Sequence, residues 1–137
     1  MPIRVFVYGT LKQGHGNHRL LANSKFLGRC LVSGKHRLVS LGGFPGLVAT
    51  SPEEPDRTVS GEVYQVNEET LLSLDFLEGH PRFYERRKLP TPFKNAWAYY
   101  LPSDYLDKGY PHVDTAWHPV EVEREFLKEG VTSDAAA

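Results

Sequence analysis

The chain has a single cysteine, Cys30, in 137 residues, so no intramolecular disulfide can form. Cys30 lies in the apolar run Leu27 to Val32, where a cysteine reads as a small core residue and not as a nucleophile. No apolar run approaches the ~20 residues of a membrane-spanning helix. Net charge is nearly absent, formally −1, so there is no electrostatic case for nucleic acid or an anionic membrane as partner. Basic residues are scattered, and the densest group, Arg86-Arg87-Lys88, reads as a solvated strand edge. Several motifs are also missing. There is no phosphate loop with its lysine, no G-x-G-x-x-G, no G-x-S-x-G elbow, no H-E-x-x-H and no Cys/His ligand spacing. His15 and His18 stand three apart, and His112 and His118 fall in an aromatic C-terminal segment, but neither pair makes a metal signature. The start, MPIRVFVYGT, is strand-like, with no signal-peptide h-region or cleavage site, so a soluble cytoplasmic protein is expected.

What remains is ordinary globular material, 40% apolar and 24% charged. It suits one domain over residues 1–129, with a disordered tail at 130–137. Arg4 to Tyr8 is β-branched and aromatic and reads as a buried strand closed by Gly9. Asn17 to Asn23 carries a short helical pattern with Asn17 as its N-cap. Lys25 to Leu41 reads as one or two strands, Leu47 to Thr50 as another, and Thr58 to Val66 as a strand weakened or bulged at Gly61. Asn67 caps the best helix, which runs to Glu78 and is stopped by Gly79 and Pro81. Tyr84 to Thr91 and Asn95 to Leu101 read as two more strands, and Glu121 to Glu129 as a short terminal helix. Strands outnumber helices and do not alternate with them, which argues for an α+β fold with a mixed or closed sheet.

Two places carry chemistry. In LDFLEGHPRFYERR, Leu71, Leu74, Asp75 and Glu78 share one helical stripe. A carboxylate among leucines, at the negative end of a helix dipole, has two readings. Either the helix has ended and Glu78 turns to solvent or pairs with Arg82 or Arg86, or Glu78 is a desolvated general base. Burial and the dipole would both hold its proton more tightly, as a base working near neutral pH requires. The second place is Tyr8-Gly9-Thr10-Leu11, where a strand stops and exposes N–H groups. It is either an ordinary turn or an anion-binding nest.

Taken together, VFVYGTL, Gly61-Glu62-Val63-Tyr64 and LDFLEGHPRFYERR resemble the gamma-glutamylcyclotransferase superfamily, in order and in spacing, over roughly residues 3 to 101. The compact chain most resembles the gamma-glutamylamine cyclotransferase branch and its AIG2-like relatives. The resemblance implies a small mixed β-barrel of about six strands flanked by short helices. It implies that a γ-glutamyl small molecule releases 5-oxoproline and a free amine or amino acid, with no metal or organic cofactor. It matches Glu78 to the proton acceptor, and Tyr8, Gly9, Thr10 and Leu11 to the loop holding the glutamyl end. Tyr84 matches the tyrosine after the catalytic helix, lining or shaping the pocket. Phe44, on a Gly-rich loop with Pro45, is placed to wall it. Arg86 is expected to pair with Glu62 or Asp75, and Asp75 is the rival carboxylate, expected to be structural. Beside this enzyme stands a non-catalytic relative that binds a small acidic metabolite or a protein partner in the same pocket. Nothing in the pattern specifies an oligomer.

Overall fold

A computed structural model describes residues 2–117. The expected terminal helix at 121–129 and the tail lie outside the described residues. The first strand, β1 (Ile3–Val7), is central, and its Val5-Phe6-Val7 run is buried on both faces. It runs antiparallel to β5 (Arg57–Val66), with Val5 opposite Tyr64 and Val7 opposite Glu62. β2 (Lys25–Gly34) and β3 (His36–Ser40) resolve the long Lys25–Leu41 stretch into two strands, and β2 lines the outer edge of β5. β4 (Pro45–Ala49) pairs with β3.

The topology turns on β7 (Ala96–Leu101), whose unbroken apolar sequence AWAYYL is that of a strand buried on both faces. β6 (Glu85–Leu89) occupies one whole edge of β7. The other edge is shared, with β1 alongside its first half (Val5 opposite Trp97) and β4 alongside its second (Leu47 opposite Tyr100), both parallel. The sheet therefore divides where β1 ends, and the Tyr8–Leu11 loop leaves from that division.

A two-residue strand, β8 (His112–Val113), pairs with β3, and the Ser40 N–H donates to the Pro111 carbonyl at 2.9 Å. Two residues on, the Thr115 carbonyl accepts the Ser60 N–H of β5 at 2.8 Å. That bond draws the curled sheet shut through β1, β7, β4, β3, β8 and β5, six strands in the ring. β2 and β6 stand outside it, so the described residues form eight strands, two more than the expected six or so. Gly61 is not a bulge. It pairs regularly with Cys30, and the irregularity lies opposite, between Phe26 and Gly28. The helix α1 (Glu68–Glu78) starts as expected, with Asn67 Oδ1 accepting the Thr70 N–H at 2.7 Å.

His36 is only 1% exposed, and its Nε2 has no hydrogen-bond partner among the described residues. Burial pushes its pKa below the ordinary histidine value of 6.5. The unfolded chain then binds this proton more readily than the folded one, so stability falls as pH drops through about 6.5 towards the lowered value. Melting temperature should therefore decline between about pH 6.5 and 5, before carboxylates titrate. His36→Leu should flatten that slope whatever its effect on the absolute melting temperature. An unchanged slope would assign the decline to other groups.

Candidate active site

Helix α1 buries Leu71, Leu74 and Glu78, while Leu72 and Phe76 face outward at 66% and 91% exposed. Glu78 itself is 0% exposed, which overturns the reading that it turns to solvent. The helix end is held rigidly. Gly79 takes the left-handed conformation (φ 67°), its N–H donates to Phe76 O at 3.2 Å, and the His80 N–H donates to Asp75 O at 3.0 Å. The Tyr84 N–H then donates to the Glu78 carbonyl at 3.2 Å, tying the next strand to the same residue.

Arg86 is committed to Asp75. Its Nε donates to Oδ1 at 2.8 Å and Oδ2 at 3.1 Å, and Tyr99 OH donates to Oδ1 at 2.7 Å. Asp75 is thus a structural acceptor joining α1 to β6 and β7, one of the two pairings expected for Arg86.

The Glu78 carboxylate acts on three buried phenols, Tyr8, Tyr84 and Tyr99. Burial is the main cause that pushes each of their pKa values up, and the charge of Glu78 adds to it in all three. They stay protonated, as hydrogen-bond donors. Tyr8 OH donates to Tyr99 O at 2.6 Å and accepts the Leu47 N–H at 2.9 Å, so it bridges the two strands that meet at the division. Tyr84 OH donates to Pro45 O. Both hydroxyls therefore hold the start of β4, and these tyrosines shape the wall around Glu78.

The loop after Tyr8 is pinned by its carbonyls. Gly9 O accepts the Lys12 N–H at 3.1 Å, and Thr10 O accepts the Asn17 N–H at 2.9 Å. Asn17 stands at the expected N-cap position, but its side chain does not cap the turn. The short 3-10 turn His18–Leu21 has no side-chain cap, and the Asn17 amide reaches back to Thr10 Oγ1 at 2.9 Å. The Leu11 side chain enters the core at 0% exposed, and its carbonyl meets His18 Nδ1 at 2.9 Å.

Phe44 lies edge-on to Phe83 at 6.2 Å, and Phe83 lies edge-on to Tyr84 at 5.0 Å and to Tyr105 at 6.1 Å. An aromatic wall thus runs from the Phe44 loop past the helix end. Phe83 and Tyr105 belong to it and were not singled out in sequence, because nothing local distinguishes them from other core rings. Among the described residues no group of three or more His, Cys, Asp or Glu is placed to share an ion, and no helix is long and apolar enough to cross a membrane. Cys30 is half-buried and free, and burial pushes its thiol pKa up.

A protein of Vibrio cholerae serotype O1 named "Putative gamma-glutamylcyclotransferase" is 46% identical over 95 residues, covering 69% of this chain and 78% of that one. The gamma-glutamylcyclotransferase family protein YtfP of Escherichia coli K12 is 37% identical over 97 residues, 71% of this chain and 80% of that one. The crystal structure of an AIG2-like protein from Mus musculus superposes with a TM-score of 0.69 at 25% identity, covering 88% of this chain and 97% of that one. The family model "Gamma-glutamyl cyclotransferase, AIG2-like" matches residues 5–119, well past the stretch ending near residue 101 that carried the sequence resemblance. The chain belongs to the gamma-glutamyl cyclotransferase, AIG2-like family.

Proposed function

We propose that this protein cyclises the γ-glutamyl group of a small molecule, releasing 5-oxoproline and a free amine or amino acid, with Glu78 as the general base. The observation that carries the reading is the fully buried carboxylate at the capped end of α1, walled by protonated tyrosines, in a chain of this family. Burial of an acid needs a reason, since an isolated carboxylate is costly to remove from water.

The chemistry needs little else. At neutral pH the substrate's α-amine is an ammonium and cannot attack. The Glu78 carboxylate takes one of its protons, and the amine nitrogen adds to the γ-carbonyl carbon of the same molecule. The amide C–N bond then breaks as the proton passes from Glu78 to the leaving nitrogen. The ring nitrogen gives up its second proton, by way of the regenerated Glu78 carboxylate, to the released amine or to solvent, which leaves the neutral lactam and an ionised Glu78. Because the attack is intramolecular, the main contribution of the protein is to hold the folded-back conformer. We assign the backbone N–H groups of the Gly9–Leu11 loop to the substrate's α-carboxylate or to the developing oxyanion. Its carbonyls are already occupied within the loop. Tyr84, Phe44 and Phe83 form the apolar wall that excludes water.

Similarity to AIG2-like proteins favours a γ-glutamylamine, such as γ-glutamyl-ε-lysine, over glutathione. The test is 5-oxoproline release from γ-glutamyl-ε-lysine, γ-glutamylalanine and glutathione in parallel. The expected order places γ-glutamyl-ε-lysine first. A preference for glutathione would move the chain to the other branch, and no 5-oxoproline from any of them would leave a binding role.

A further inference from the structure

Two charges on the opposite side of the same loop are not used by this mechanism. Lys12 directly follows the Tyr8–Leu11 segment and is 8% exposed, and Glu62 on β5 is 4% exposed. They line a cleft of about 370 Å³, with His15 and Arg29 also on its wall and Gly61 at the β5 side. That volume suits a small molecule. Buried ions of opposite sign normally make direct contact, because removing each from water is costly. Among the described residues these two do not. No ion pair within 4.0 Å joins them; burial lowers the Lys12 pKa, and the nearby charge of Glu62 partly opposes that.

Among the described residues, each has hydrogen-bonding capacity left over. Among the described residues, Lys12 Nζ makes one hydrogen bond, to Trp117 O at 3.2 Å, out of the three an ammonium can donate. Glu62 Oε1 is satisfied by the Gln13 N–H at 2.9 Å and by Tyr64 OH at 3.0 Å. Among the described residues, the partner of Oε2 is the Nε of Arg29, at 3.8 Å, from a side chain that is 73% exposed. A buried donor and a buried acceptor thus line one cleft, with no ion pair between them among the described residues.

We propose that this cleft binds the head group of an α-amino acid, its carboxylate on Lys12 Nζ and its ammonium on Glu62 Oε2, with the side chain pointing out past Arg29. A zwitterion brings both charges at a fixed short separation and satisfies both buried groups at once. Inorganic phosphate does not fit as well, because Glu62 repels a doubly charged anion that has nothing to offer its carboxylate. The occupant would rest on Lys12 and Gln13, and so on the end of the loop assigned to the glutamyl group. The site stands independently of the cyclotransferase reading.

The test uses the full chain and follows backbone amide shifts of Gln13, Gly61 and Glu62 by NMR during titration with L-alanine. Acetate, ethylamine and inorganic phosphate are titrated separately. L-alanine should saturate in the millimolar range, with acetate and ethylamine each ~10-fold weaker or more, as expected when one charge-assisted bond is lost. Lys12→Met and Glu62→Gln should each weaken L-alanine by a similar factor, and Glu78→Gln should leave its binding unchanged. Two variants guard against misfolding, and a shared one-dimensional spectrum with the wild type establishes that each is folded. The proposal is overturned if L-alanine produces no saturable shift, if phosphate binds more tightly, or if both folded cleft variants bind L-alanine as the wild type does. Loss of 5-oxoproline production alone would bear only on Glu78.

Discussion

Glu78→Gln is expected to lower kcat/KM for 5-oxoproline release by ~10²–10⁴-fold, the usual contribution of a positioned acid–base group. Glutamine keeps the length and shape of the side chain and removes the proton acceptor. The α-amine then stays an ammonium when bound, or must arrive as the minor free-base form. The fold should survive, since a neutral amide is easier to bury than a carboxylate. The natural control is Asp75→Asn, one turn earlier on the same face. Its oxygens accept from Arg86 and Tyr99, so that change should lower the melting temperature by weakening the tie between α1, β6 and β7. A Glu78→Gln protein that retains activity within ~10-fold of wild type would mean that the proton goes elsewhere. The two variants therefore separate a catalytic carboxylate from a structural one.

The second large effect is on stability. Gly61→Ala should destabilise the protein by about 3 kcal/mol or more, at the upper end of overpacking costs. In a chain of this size that corresponds to a fall in melting temperature of roughly 10 °C. A β-carbon at Gly61 would lie 2.5 Å from Phe6 Cζ and 2.5 Å from the Val7 carbonyl oxygen. The phenyl ring is itself buried, and the carbonyl belongs to the central strand, so neither can move without shifting β1 against β5. The Tyr8–Leu11 loop begins at that point, so activity should fall along with stability. Gly16→Ala is the comparison. A β-carbon there meets nothing within 4 Å, and that change should be neutral or slightly stabilising. A Gly61→Ala protein melting within ~1 °C of wild type would show that β1 and β5 are less tightly registered than these distances imply.

These features were not equally legible in the sequence. Glu78 stood out because it breaks a local rule, with an acid in line with Leu71 and Leu74 while Leu72 and Phe76 fall on the other side. The Asn67 cap and the Gly79 stop were legible for the same reason, since their chemistry is contained within a few residues. The strand β7 showed in its composition, but not the sharing of its edge between β1 and β4, which depends on pairings across most of the chain. Tyr8 was placed near the glutamyl end by its motif. Its hydroxyl is spent on Tyr99 and Leu47, far away in sequence, and no local pattern encodes that. The resemblance read from the sequence stopped near residue 101, although the family model runs to residue 119; part of the segment after Pro102 is fixed by bonds to Ser40 and Ser60, far back in the chain. Lys12 carried no signal in the sequence; it is buried, and its Nζ donates to the Trp117 carbonyl, over a hundred residues away. Gly61 illustrates the converse: the position stood out as a weak point or a bulge, while its reason, the close approach of Phe6 and the Val7 carbonyl, depends on a strand far away in sequence.

The most direct measurement is product analysis in water enriched in ¹⁸O, with γ-glutamyl-ε-lysine, γ-glutamylalanine and glutathione as substrates. Ring closure by the substrate's own amine takes no oxygen from water. The account therefore predicts 5-oxoproline free of ¹⁸O, released in equal amount with the amine from at least one of the three, and absent with Glu78→Gln. Glutamate carrying solvent ¹⁸O would instead show that water is the nucleophile, and would contradict the cyclisation at the centre of this account.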